Sequence, residues 1–428
     1  MSEVKERVST PSPFAGLKQQ QPDGLLALIG IFQSDPRPNK RDLGVGMYRD
    51  ETGLTPVMSV VKKAERTLVE QQHSKGYLGP EGDQTFVGVL REIILGNSAG
   101  CGERLVGVQT PGGGGALRLG AELAASSRPG ARIWLGSPSW PNHEPIFAAA
   151  GLDTARYRQF DLASQTLVFD DVVAALSTAS PGDLVLVHGC CHNPTGADFS
   201  PAQWVALSDL MVQRRLVPFI DLAYQGLGES LEVDASGTRH MLSRVDRALL
   251  AYSCDKNFGL YRERTGALFV LARDEPEADL VWGNLLALAR VNWSMPPDHG
   301  AACVRTILQS DGLSLQWRAE LMAMRDRIAS VRAALAGEHA GLAGLAGHRG
   351  MFSLLPIASP AIAKLRQEHA IYVAAGGRVN LAGLQVADVP RFIAALQAVG
   401  ALAPAREATR SPVLGSSDQE RRLTGSVG

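Results

Sequence analysis

Cysteine is scarce in this chain: five residues, Cys101, Cys190, Cys191, Cys254 and Cys303, among 428. The number is odd and no CxxC pair or zinc-type spacing occurs. A disulfide scaffold and a structural zinc site are therefore not expected, and a reduced, cytoplasmic setting fits best. Long hydrophobic runs are missing as well. No stretch approaches the roughly 18 apolar residues of a membrane span, so no membrane association is expected. The opening MSEVKERVSTPSP is polar, without an apolar core or a cleavage-like site, so no secretory signal is read there. Charge of one sign is absent too. Lys+Arg 42 against Asp+Glu 43 leaves a net charge of −1, which gives no general pull toward nucleic acid or anionic lipid. What remains is 45% hydrophobic and 20% charged residues, ordinary globular composition that excludes a collagen, a mucin or a chain disordered throughout. The length allows about two or three domains and a large core.

No fixed-period repeat is visible. Short apolar runs alternate with amphipathic ones through the middle of the chain. Candidate strands are 132–135, 184–188, 216–221, 248–252 and 267–271, each flanked by Gly, Pro, Ser or Asp. Helical patterns lie between them at 116–125, 169–178 and 201–214. Strands alternating with helices imply an α/β fold with a mostly parallel sheet covered on both faces. A long helical pattern at 314–336 leads into a second, smaller α+β region that ends in the amphipathic VPRFIAALQAVGAL. The boundary near 310 has no Pro/Gly-rich linker, so a long helix is expected to bridge the two parts. The tail EATRSPVLGSSDQERRLTGSVG reads as a disordered extension.

Four runs carry chemistry-bearing residues. In GVQTPGGGGALRLGAELAAS an apolar stretch ends in Gly112–Gly115 and passes at once into a helix. Glycines let a backbone approach a ligand closely, and a helix start offers free N–H groups, which suits a phosphate. Leu117 occupies the third glycine position of a GxGxxG, and no Gly-Lys-Ser/Thr follows, so neither a dinucleotide fingerprint nor a P-loop is present. Alone, this run reads equally as a tight strand–helix turn. In VPFIDLAYQGLG, Asp221 ends a buried strand, where a carboxylate needs a partner unless it merely caps a helix. In LLAYSCDKNFGLYRERTGAL, Lys256 follows a strand with Ser253 before it and Arg264 after; it is either a surface lysine or an amine placed for imine chemistry. In VHGCCHNPTG, Asn193 lies just past another strand; His188 and His192 lack a third ligand at useful spacing and read as core or supporting histidines rather than metal ligands. An amine, a phosphate cradle, a strand-end carboxylate and a strand-end amide on one α/β sheet are what pyridoxal 5′-phosphate requires.

The strings DLGVGMYRDETGLTPV, GYLGPEG, VQTPGGGGALR, SPSWPNHEPIFAAAGL, HGCCHNPTGADFSPAQW, FIDLAYQGLG, SCDKNFGLYRERTGAL, RVNWSMPPDHGA and GGRVNLAG occur in order. In these the chain resembles the fold-type-I, class I pyridoxal-phosphate aminotransferases, specifically the aspartate/aromatic amino-acid group, over roughly residues 24 to 402. The resemblance implies a large cofactor-binding domain (56–310) and a small domain built from residues 1–55 and 311–404, with a disordered tail at 405–428. It implies that Lys256 is the Schiff-base residue and proton carrier. Asp221, oriented by His143, would hold the pyridine nitrogen protonated. Tyr224 and Asn193 would partner the ring oxygen, and Trp140 would cover the ring. Ser253, Arg264 and the backbone of Gly113 and Gly114 would form the phosphate cup, joined by Tyr77 from a neighbouring subunit. Arg378 would clamp the substrate α-carboxylate, assisted by Trp140, Asn193 and the backbone of Gly46. Arg290 would bind a distal carboxylate from the other subunit. A homodimer with shared sites follows, acting on amino acids and 2-oxo acids, with no metal.

Some positions depart from that pattern. Gly114 stands where a hydroxyl residue is usual. Asp255 replaces a small neutral residue before the lysine; it is expected to point away from the site, and would raise the lysine's basicity if it did not. Met295, Gly76 and Met47 suggest a roomier, more apolar pocket and a large or aromatic substrate. The expected activity is a ping-pong transamination between aspartate and/or aromatic L-amino acids and 2-oxoglutarate. The alternative is a specialised transaminase for an unusual amino acid in biosynthesis, with glutamate as donor. A decarboxylase or lyase on the same scaffold is disfavoured by Arg378 and Arg290. A DNA-binding regulator is disfavoured by the 23 residues before the match and the lack of a basic stripe, and a nicotinamide oxidoreductase by the missing glycine.

Overall fold

Apolar runs with β-branched or leucine-rich composition become the strands of one seven-stranded sheet in the computed structural model, which describes residues 12–20, 24–96 and 101–403. The strands are β1 (Leu105–Pro111), β2 (Arg132–Ser137), β3 (Asp153–Arg158), β4 (Leu184–His188), β5 (Val217–Leu222), β6 (Ala248–Ser253) and β7 (Thr265–Leu271). Their order across the sheet is β1-β7-β6-β5-β4-β2-β3. All neighbours pair in parallel except at β7, which runs antiparallel to both β1 and β6. The mostly parallel α/β architecture read from the alternation is therefore present; the five expected strands have limits within two residues of expectation, and β1 and β3 are not among them.

Every residue of β4, β6 and β7 is buried, so these strands show the continuous apolar runs of a sheet covered on both faces. Successive side chains point to opposite faces. Leu184 and Leu186 accordingly join one apolar cluster, and Val185 and Val187 the other. Helix α1 (Gly112–Ser127) covers the first face with Ala116, Leu117 and Leu119, helped by Leu285 and Ala289 of α2 (Glu275–Asn292). Helix α3 (Asp311–Glu338), capped by Ser310, lays Trp317, Leu321, Ile328 and Val331 against the second cluster.

Helix α1 starts four residues before the expected 116, inside the glycine run. Propensity argues against a glycine first turn. Tertiary contact overrides it, because a Cβ at Gly113 would lie 2.9 Å from the Ser253 Cβ, and Gly112 has φ +69. Segments from the N-terminal and C-terminal parts of the chain pair outside the large sheet. Arg41–Leu43 pairs in parallel with Ile371–Val373, and Phe352–Leu354 pairs antiparallel with Arg378–Asn380. The expected tail at 405–428 lies outside the described residues.

Trp317 ties α3 to the turn after β6. Its ring stacks on Phe258 at 4.4 Å between centroids, and its Nε1–H donates to the Asn257 carbonyl at 2.8 Å. Both residues are fully buried. Trp317→Ala is expected to cost about 3–5 kcal/mol of stability through the cavity and the orphaned carbonyl, read as a lower urea midpoint.

Candidate active site

Parallel strands end at the same edge of a sheet, and open α/β folds bind ligands there. Asn193 lies five residues past β4, Asp221 next to last in β5, and Lys256 three residues past β6. β1 points the same way and delivers Gly113 and Gly114 to that edge. β7 runs in the opposite direction, so its beginning brings Arg264 to the same place. Arg378 and Gly46 arrive from the paired terminal segments.

These residues line one cavity of about 250 Å³: Gly46, Gly113, Gly114, Trp140, Asn193, Asp221, Tyr224, Lys256, Arg264 and Arg378. The Lys256 Nζ sits 5.1 Å from the Tyr224 ring centroid. Burial lowers its basicity, and Arg264 acts in the same direction; the carboxylates of Asp255 and Asp221 oppose this without cancelling it. For Asp221 burial alone would raise the pKa, but the hydrogen bond with His143, helped by Lys256 nearby, holds it below the usual carboxylate range. His143 Nε2 lies 3.0 Å from Asp221 Oδ2, and His143 Nδ1 lies 2.8 Å from the Ser139 hydroxyl. Burial pushes the Tyr224 phenol up, so it keeps its proton near neutrality. Its oxygen accepts from Asn193 Nδ2 at 3.4 Å.

Arg378 is buried over the Phe352 ring at 4.6 Å. It donates to the Gly44 carbonyl at 2.9 Å and to Asn193 Oδ1 at 3.4 Å, while its Nε has no hydrogen-bond partner. A buried guanidinium with an unused N–H is prepared for a carboxylate. A Cβ at Gly46 would meet the Phe352 Cζ at 2.7 Å, so a larger residue there would displace the ring beneath Arg378.

Ser253 is buried beside the cavity, although it is not among the lining residues. Tyr77 and Arg290 are not brought into the cavity. Tyr77 is 97% exposed, and Arg290, also exposed, donates to the Ser294 hydroxyl. Met295 accepts from the Leu78 N–H at 3.0 Å, next to Tyr77. Met47 does not line the cavity either; Asn380 holds its carbonyl at 2.8 Å.

Asp255 requires a correction. It does not point away: its side chain lines the cavity, and its Oδ2 accepts from Arg264 Nη1 at 2.5 Å. A buried carboxylate needs a cation, and Arg264 is the one it pairs with.

Sequence reading missed Phe352 and Tyr261, which also line the cavity. Tyr261 accepts the Tyr48 N–H at 2.9 Å and stands inside the lysine string, so the signal was available. Phe352 stands in RGMFS, which carries no motif.

A family profile, "Aminotransferase class I and II", matches residues 38–396. The chain belongs to that family. The tyrosine aminotransferase of Rhizobium meliloti (strain 1021) is 52% identical over 382 residues, 88% of this chain and 97% of that protein. The aspartate aminotransferase of Salmonella typhi is 40% identical over 90% of this chain and 100% of its own length. Among solved structures, the Burkholderia pseudomallei aromatic-amino-acid aminotransferase covalently bound to pyridoxal phosphate superposes with TM-score 0.87 at 36% identity, over 91% of this chain and 99% of that one.

This aminotransferase uses pyridoxal phosphate, and its cavity fits that group. A buried lysine of lowered basicity, a strand-end carboxylate paired with a histidine, and helix-start N–H groups beside Arg264 match the aldehyde, the ring nitrogen and the phosphate.

Behind Asp221, the rings of His143, His188 and His192 follow one another, edge-on and then tilted, with centroids 5.2 and 4.2 Å apart. Burial holds His188 at about 3, against about 6.5 in an unfolded chain. Below pH 6.5 the unfolded state binds the proton that the folded state refuses, so stability falls as pH falls. Between pH 7 and pH 5 His188 should account for about 2 kcal/mol of lost stability. His188→Asn should lessen the loss by that amount in denaturant titrations at the two pH values; equal losses in both proteins would refute the assignment.

Proposed function

We propose that this aminotransferase moves the amino group between aromatic L-amino acids and the glutamate/2-oxoglutarate pair, accepting aspartate as well, through two half-reactions of a ping-pong cycle. The observation that carries the reading is the buried Arg378 with its unused Nε, held by Gly44 and Asn193 across the cavity that contains Lys256. Such a clamp fixes an α-carboxylate, and with it the α-carbon, near the amine.

The bound cofactor supplies an electron-withdrawing ring that makes the α-proton of an amino acid acidic. Lys256 would hold the cofactor through Nζ, and the same Nζ would take and return the α-proton; lowered basicity suits that exchange at neutral pH. Asp221, fixed by His143, would keep a proton on the ring nitrogen. Tyr224 and Asn193 would bind the ring oxygen, and Trp140 would cover the ring and exclude water. Ser253, Arg264 and the N–H groups of Gly113 and Gly114 would hold the phosphate. Residues 56–310 would form the cofactor-binding unit, and residues 1–55 with 311–404 the smaller unit that carries Arg378.

The apolar lining from Leu25, Val45, Leu117, Trp140 and Phe352 supports an aromatic side chain as one substrate. The tyrosine and aspartate aminotransferases among the relatives support both substrate types. The exposure of Tyr77 and Arg290 supports a homodimer in which each chain completes the other's site, Arg290 meeting the distal carboxylate of glutamate or aspartate.

The absorption spectrum of the purified holoenzyme tests this. Glutamate, and phenylalanine or tyrosine, should each convert the lysine-bound form to the amine form in a single half-reaction; a protein converted by no amino acid would sink the proposal. Arg290→Ala should slow the glutamate and aspartate half-reactions roughly 10- to 100-fold, as for a lost charged hydrogen bond. Phenylalanine should stay within a few fold of the wild type.

A further inference from the structure

The cup assigned to the phosphate holds an acid of its own. Asp255 is buried at its wall, with Oδ2 on Arg264 Nη1 at 2.5 Å. Its other oxygen, Oδ1, is buried without any hydrogen-bond partner. The Asp255 N–H donates to the Ser253 hydroxyl oxygen at 3.3 Å, which leaves that O–H free to turn toward a ligand. Arg264 lies against the glycine turn, since a Cβ at Gly112 would meet its Nη2 at 2.7 Å. At Gly114 a side chain would have open space, yet none is there to donate. The cup therefore pairs its one guanidinium with a carboxylate before any phosphate arrives, and that carboxylate has an acceptor with no donor.

A phosphate dianion entering this cup adds two charges beside an anion and brings no proton for Oδ1. A phosphate monoanion brings an O–H. The second proton of a phosphate ester leaves near pH 6, so roughly one free molecule in ten still carries it at pH 7. A modest preference by the cup is enough to select that form. We propose that Asp255 makes the cup take the cofactor's phosphate together with one proton, shared between a phosphate oxygen and Asp255 Oδ1, so that cofactor retention weakens as pH rises. The proton comes from solvent, one per site, and no other bond changes. This rests on the assignment of Gly113, Gly114, Ser253 and Arg264 as the phosphate cup.

The other charged and titratable groups facing Asp255 are Arg264, Lys256, Tyr261 and Cys254. Arg264 stays a cation throughout. Burial pushes the Tyr261 phenol and the Cys254 thiol up, so both stay neutral. Lys256 titrates, and the experiment must separate it.

The probe is 4′-deoxypyridoxine 5′-phosphate, which has the cofactor's ring and phosphate but no aldehyde for Lys256. Its Kd is measured between pH 7 and 8.5 on the full-length apoenzyme, for the wild type, Asp255→Ser and Asp255→Asn. Ring titrations are common to all three; because Asp255 also acts on Lys256, the same three are compared again on a Lys256→Ala background, where the lysine's titration is removed. With the proton shared, the wild-type Kd rises about tenfold more per pH unit than that of either variant. The phosphorus-31 resonance of the wild-type holoenzyme then lies nearer the monoanion position at pH 7.5 and moves to the dianion position in the variants. Equal slopes and equal resonances would overturn the proposal. Arg264→Gln separates the underlying assignment: if it leaves the wild-type Kd unchanged, the cup is elsewhere and the proposal falls with it. If it weakens binding while the Asp255 slopes agree, the cup stands and only the shared proton is lost.

Discussion

A carboxylate near the end of a buried strand sets the terms for the rest of this molecule. Asp221 sits where the sheet is covered on both faces, and a lone charge there would not be tolerated. His143 answers it from the start of the helix after β2, oriented in turn by Ser139, and Lys256 answers it from the turn after β6. Those two partners reach it because β2, β4, β5 and β6 all point one way. The direction of the strands is thus inseparable from the chemistry at their ends. The single reversed strand, β7, extends the same logic, since only a strand starting at that edge could supply Arg264 there.

The cavity also shows how little net charge says about a site. Over the whole chain acids and bases nearly cancel. At the cavity wall Lys256, Arg264 and Arg378 face Asp221 and Asp255, an excess of one positive charge over ligands that are themselves anionic. Each acid is committed to a particular base, so the cavity is a set of directed pairs rather than a positive funnel.

The large sheet and its polarity were legible in the sequence because its central strands are short, apolar and bounded by turn residues. The first turn of α1 was not, because four glycines argue against a helix unless Ser253 and Pro111 crowd the turn from outside. Lys256, Asp221, Asn193 and Arg378 were legible through the strings around them, and the structure places all four on one cavity. Phe352 was invisible, since its role depends on Gly46 and Arg378, partners far away in the chain. Asp255 was misread for a related reason: whether an acid turns in or out is decided by where its cation lies, and Arg264 comes from the opposite strand of a pair.

The pairing of the two terminal segments bears on when the protein becomes competent. Gly44 and Arg378, which meet through a 2.9 Å hydrogen bond, are separated by 334 positions. A chain emerging from its N-terminus can complete every strand of the large sheet, together with the lysine turn, before Arg378 exists. Long-range contacts of this kind close late, after local and domain-level structure has formed. During synthesis there is thus an interval in which the strand ends are in place and the Arg378 wall of the cavity is not.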